Sequence, residues 1–112
     1  MKQRIGYVTN HAEERFNERL DIKSASRKER QSKLAYERGI GRNDVLGVSK
    51  RLIDYIVYTE DKERCTEVKI YAGALYIFGL NGALITVYKL DKEFSKLYEG
   101  ARRKINRRNI AA

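Results

Sequence analysis

The chain has no proline, no tryptophan, one cysteine, one histidine and one methionine. A single cysteine, Cys65, excludes an internal disulfide and any zinc site built on several cysteines. With His11 the only histidine, a structural metal site could not close without carboxylates, so no metal or other cofactor is expected. Long apolar runs are also missing. No stretch approaches the roughly 18–20 residues that cross a bilayer, and Met1-Lys2-Gln3-Arg4-Ile5-Gly6-Tyr7 lacks the apolar core of a signal peptide. The expectation is a soluble cytoplasmic protein with no membrane partner.

What is abundant is positive charge. The 112 residues carry a net charge of +9, and 35% are charged, above the roughly 25% of average globular domains. The length suits one domain, 1–112, and a hydrophobic content of 42% suffices for one modest core. The excess charge is not spread evenly. Residues 23–42 hold seven basic and two acidic residues, a net +5, and residues 101–112 hold five basic and no acidic residues. The rest is close to neutral. Two basic blocks outside the expected core suit phosphate contacts, which give sequence-independent affinity through counterion release. They also suit a solvated helix and tail that keep the protein soluble.

The pattern along the chain predicts the order β-α-α-α-β-β-β-α. Residues 4–8 alternate and predict a short strand. Asn10 as N-cap with Glu13 three residues later predicts a helix from His11 to about Leu20. Residues 24–40 have helix-forming types but few apolar ones, which predicts an exposed helix, ordered on binding, stopped by Gly39 and Gly41. After Asn43, a candidate cap, Val45, Val48, Leu52 and Ile56 fall on one stripe, flanked by Leu46, Ile53 and Val57, so a core helix is expected to end near 58–61. Strands follow at 66–72, 74–79 and 83–89, with a turn at Gly73 and an Asn81-Gly82 type I′ signal. A last helix over 91–105 places Phe94, Leu97, Tyr98 and Ala101 on one face. The fold class is α+β, a three- to four-stranded antiparallel sheet packed on helices in two layers.

The most chemical pattern lies on the first helix. His11, Arg15 and Arg19 follow at i, i+4 and i+8, about 0°, 40° and 80° around the axis. Ala12, Phe16 and Leu20 form the apolar stripe beside them, so the basic stripe is expected along the rim of the core contact. A histidine in the first turn, at the positive end of the helix dipole, suits the neutral imidazole that a general base needs. Neighbouring arginines suit phosphate oxygens that gain charge in a transition state. These are the minimum parts for metal-free RNA cleavage, in which the 2′-OH attacks the adjacent phosphate. The alternative is a surface histidine, with Arg15 and Arg19 paired to Glu14, Glu18 or Asp21.

The run Val8-Thr9-Asn10-His11-Ala12-Glu13-Glu14-Arg15-Phe16-Asn17-Glu18-Arg19, with Leu84-Ile85-Thr86-Val87-Tyr88 at the far end, resembles small RelE-type proteins, including BrnT-like toxins. That group opens with a His-Ala-x-x-Arg-x-x-x-Arg helix and closes with a Thr-Val-Tyr-like strand. The resemblance implies the barnase-EndoU-colicin-RelE type of fold, a metal-independent endoribonuclease activity and an antitoxin partner. It implies site residues His11, Arg15, Arg19, Thr86 and Tyr88. Thr86 and Tyr88, two apart, share one sheet face, expected beside the helical stripe, with Ile85 and Val87 opposite. The charged segment 23–42 is longer than the usual connection there.

Other features carry less. Tyr55, Tyr58, Tyr71 and Tyr76 suit either binding or half-buried packing. Cys65 beside Arg64 lacks a second catalytic partner, and Glu60, Asp61, Glu63 and Glu67 fit a solvated turn. Gly39-Ile40-Gly41 lacks phosphate-loop spacing. Three functions fit. One is an RNA endoribonuclease with His11 as base. Another is a non-catalytic RNA or DNA binder using Arg27, Lys28, Arg30, Lys33, Arg38, Arg102, Arg103, Lys104, Arg107 and Arg108 as clamps. The last is a small basic inhibitor or adaptor, from a phage or other mobile element, that binds an acidic protein surface.

Overall fold

A computed structural model describes residues 6–64, 67–79 and 81–111, with side chains through Arg107. Its elements run α1 (Asn10–Arg15), a π-helical turn (Phe16–Leu20), α2 (Ala25–Arg38), α3 (Lys50–Glu63), β1 (Glu67–Tyr71), β2 (Ala74–Phe78), β3 (Leu84–Lys89) and α4 (Lys92–Ala111). The class is α+β, as the pattern predicts, but the order differs at the start. Arg4 and Ile5 lie outside the described residues. From Gly6 to Thr9 the chain makes a single parallel bridge, Val8 to Leu84, rather than a strand.

The sheet is antiparallel in the order β1-β2-β3. All five residues of the central strand are buried. Such a strand needs cover on both faces, so the two-layer expectation gives way to three layers. On one face Ala74, Tyr76, Phe78, Leu84 and Val87 pack with Ala12, Phe16 and Ala35 from α1, the π turn and α2. On the other, Val68, Ile70, Leu75 and Ile77 pack with Leu52 and Ile56 of α3 and Tyr98 and Ala101 of α4.

Local chemistry explains the boundaries. Thr9, not Asn10, caps α1. Its Oγ1 accepts from the Ala12 N–H at 3.2 Å and donates to the Leu84 carbonyl at 2.9 Å, so one hydroxyl starts the helix and ties it to β3. Ser24 caps α2. That helix is exposed over much of its length, as composition predicts, but it buries Lys28, Ser32 and Ala35 and so also serves as a packed layer. Ser49, rather than Asn43, caps α3. Val45 is buried in the turn ahead of that helix, while Leu46 is 56% exposed. The carboxylates Glu60, Asp61 and Glu63 belong to the end of α3 rather than to a turn. The tight hairpin falls at Ala72-Gly73, where φ is 48° and 79°. At the predicted Asn81-Gly82 position, Gly82 takes a φ of 77° and donates to the Gly79 carbonyl at 3.0 Å, which closes a wider connection.

One irregularity decides which face the site residues occupy. Ile77 pairs with Thr86 but Phe78 pairs with Leu84, so Ile85 is an extra residue in β3, a β-bulge. Before the bulge Leu84 faces α1, and after it Val87 does, which simple alternation forbids.

Gly39 follows α2 where the backbone runs against β1. A Cβ there would lie 2.8 Å from the Lys69 Cβ and would also meet the Ala35 carbonyl. Gly39→Ala is therefore expected to destabilise the fold by roughly 1–3 kcal/mol. Urea unfolding would show a lower midpoint at constant m, and an unchanged midpoint would refute the close approach.

Candidate nucleic-acid interface

The expected helical stripe is only half preserved. His11 and Arg15 stay together, with the Arg15 Nε–H directed at His11 Nε2 over 3.4 Å. Nε2 is then the acceptor and the imidazole is solvent-exposed. Arg15 also forms an ion pair with Glu18 at 2.7 Å, the pairing that the surface alternative anticipates. Arg19 leaves the stripe. The π turn bonds i to i+5 and advances less per residue than an α-helix, so Arg19 is rotated toward the outer edge of β3. There its Nη1 donates to the Val87 carbonyl at 2.8 Å, and its guanidinium lies 4.3 Å from the centre of the Tyr88 ring.

Tyr88 is the junction between the two faces. Its register partner Leu75 and its neighbours belong to the α3–α4 side, yet its ring reaches the edge to meet Arg19. Its hydroxyl donates to Glu63 Oε1 at the end of α3. That hydrogen bond, followed by burial, raises the phenol above its ordinary value, and Arg19 opposes the shift. Thr86 shares this face, as the two-residue spacing predicts, but the face is the one opposite α1. It is 5% exposed, with its Oγ1 buried and unpartnered. The bulge at Ile85 is the reason. Thus Arg19 and Tyr88 are brought together, His11 and Arg15 are brought together, and Thr86 is buried on the face opposite α1.

The basic blocks behave differently. On α2, Arg27, Arg30, Lys33 and Arg38 are exposed, whereas Lys28 is 5% exposed and belongs to the packed side. On α4, Arg102, Arg103, Lys104 and Arg107 are exposed, and the side chain of Arg108 lies outside the described residues. Residues from the end of α2 and the second half of α4 border a common groove. Arg38, Lys69 and Arg102 line this groove, of about 320 Å³, with Ile105 and Asn106 on the α4 wall. Glu37 and Asp44 line the same groove; Asp44 accepts from the Gly41 N–H at 2.8 Å, and Lys69 is paired with Glu67 at 3.3 Å. Sequence reasoning missed Lys69, which sits in a strand of alternating pattern, and Glu63, the partner of Tyr88. Cys65 lies outside the described residues.

A second cleft of about 450 Å³ lies between Arg42, Glu60, Glu67 and Lys69. Burial raises the Glu60 carboxyl above its usual range, and Arg42 counters it from 3.7 Å. Among the described residues, no three His, Cys, Asp or Glu side chains are grouped to hold a metal ion. No helix among them is long and apolar enough to cross a membrane. Compared with protein-family models, curated proteins and solved structures, the chain matches none.

Burial pushes the Tyr76 phenol up to about 12. A tyrosine with a folded value above its unfolded value of about 10 stabilises the fold fully below pH 10. The folded state then holds a proton that the unfolded state has lost, so stability falls as pH rises from 10 through about 12. The loss attributable to Tyr76 is roughly 2–3 kcal/mol. Denaturant unfolding across pH 9–12 is expected to show this decline (on the order of the window set by the two values), and Tyr76→Phe to flatten it. A variant that declines as steeply as the parent would rule out the assignment.

Proposed function

We propose that the protein binds nucleic acid, RNA foremost and DNA as a weaker partner, through the groove between α2 and α4. One observation carries the proposal: Arg38 and Arg102, from the two separate basic blocks, line the same groove as Lys69, three cations against the two carboxylates Glu37 and Asp44. Charge alone is compatible with a solubilising surface. Convergence of distant cations on one concave surface is what a phosphate backbone requires, because each neutralised phosphate releases condensed counterions. Arg103 and Arg107 on α4 and Arg27 and Arg30 on α2 are further exposed cations on the two helices that supply the groove's arginines.

A second reading is favoured by the His11–Arg15 contact. An exposed imidazole with Nε2 as acceptor, next to a guanidinium, fits a metal-independent endoribonuclease of the RelE-like type, with His11 as general base. In that reading Arg15 braces the phosphate, while Arg19 and Tyr88 hold the helix against the strand edge. A toxin of this kind has an antitoxin partner and acts in the cytoplasm. The reading of a basic inhibitor that binds an acidic protein surface has no observation of its own in this fold.

The groove is tested by the salt dependence of binding. For single-stranded RNA the slope of log affinity against log salt is expected to fall by about 1.4 in the double variant Arg38→Ala/Arg102→Ala, roughly 0.7 per lost phosphate contact. An unchanged slope would overturn the groove. The second reading is tested in a chelator-containing buffer. It expects RNA fragments ending in 2′,3′-cyclic phosphate from the parent protein and none from His11→Ala. Cleavage that survives the substitution, or its absence in the parent, would overturn it.

A further inference from the structure

On the far side of Tyr88 from α1, a cavity of about 240 Å³ opens between the end of α3 and the end of β3. Tyr55, Tyr58 and Tyr88 supply aromatic walls, Glu63 and Asp91 supply carboxylates, and Lys62 and Lys89 stand exposed around it. We propose that this cavity binds one unpaired nucleobase of single-stranded RNA, an inference that rests on the RNA-binding reading above and adds a second site to it.

Two aspects of the cavity favour this occupant. The first is the combination of flat aromatic walls with cations. Tyr58 is 62% exposed, a large ring left in water. Nucleobases stack on such rings whatever their identity, while lysines beside them neutralise the flanking phosphates. An apolar protein segment would use the rings but not the lysines. A duplex would use the lysines but not the rings, because its bases already stack on one another. Only a single strand alternates both features.

The second aspect is Glu63. Glu63, one of whose oxygens accepts from the Tyr88 hydroxyl, is a hydrogen-bond acceptor that lines the cavity. It suits bases that present amino donors, so adenine, cytosine and guanine are preferred over uracil. Tyr88 connects the cavity with Arg19, whose guanidinium covers the same ring. A base in the cavity would therefore lie next to a cation on each side of the strand edge.

The test uses the full chain and a ten-nucleotide single-stranded RNA with one 2-aminopurine at its centre. Tyr58→Ala, an exposed position, is expected to weaken binding about 5- to 150-fold, the equivalent of ~1–3 kcal/mol for one lost stack. It should leave the salt slope unchanged and abolish the quenching of 2-aminopurine fluorescence. Tyr58→Phe should restore affinity and quenching, and binding to double-stranded RNA should not change in either variant. Parental affinity and quenching in Tyr58→Ala would overturn the cavity while leaving the groove intact. Loss of binding in Tyr58→Ala with no effect of Arg38→Ala/Arg102→Ala would support the cavity and remove the groove. A parent protein that binds no RNA would refute both.

Discussion

Burial of β2 on both faces is the constraint from which the architecture follows. Five consecutive buried residues, Ala74 to Phe78, leave the strand no solvent side, so each face must be covered by helices. The two faces select different partners. Phe16 and Tyr76 meet with ring centres 6.0 Å apart on the α1 side, and Leu52 and Ile56 of α3 with Tyr98 and Ala101 of α4 close the other. The chain devotes its limited apolar content to this sandwich, which is why α2, poor in apolar residues, still packs through small ones such as Ser32 and Ala35.

The edge of β3 is where this plan becomes chemistry. The bulge at Ile85 reverses the facing of the strand in mid-course, so Val87 continues the α1 contact while Tyr88 serves the opposite layer. Arg19 reaches around that edge and joins the two sides by a hydrogen bond and a ring contact. The residues most suggestive of reactivity thus divide. His11 and Arg15 face water. Arg19 and Tyr88 form an internal brace that also links to Glu63.

Much of this was legible in the sequence, and the exceptions have local causes. β1 followed from alternation and α4 from its apolar stripe, because burial imposes those periods directly. By contrast, β2 is buried at every position, and Val45 and Val48 of the expected α3 stripe fall ahead of that helix. The caps were misplaced by one residue at Thr9 and by six at Ser49, since Asn, Ser and Thr compete as caps and only geometry selects among them. The bulge and the π turn were invisible because each depends on tertiary contacts rather than on residue type. For the same reason the His11–Arg15 pair was predictable from i, i+4 spacing while the position of Arg19 was not. The groove joining Arg38, Lys69 and Arg102 lies further still from sequence, because it brings together three elements separated along the chain.

The two borders of the sheet restrict how the protein can meet other chains. At β1, Ile40 exchanges both backbone hydrogen bonds with Ile70, each 2.9 Å long. At β3, Gly6 donates to the Gly82 carbonyl and Thr9 to that of Leu84, and Arg19 takes that of Val87. A strand added by another polypeptide, the route by which open sheets oligomerise or aggregate, would find no free ladder partner at Ile70 on one border or at Leu84 on the other. Each isolated bridge thus interrupts its border, so any strand pairing there has to be short.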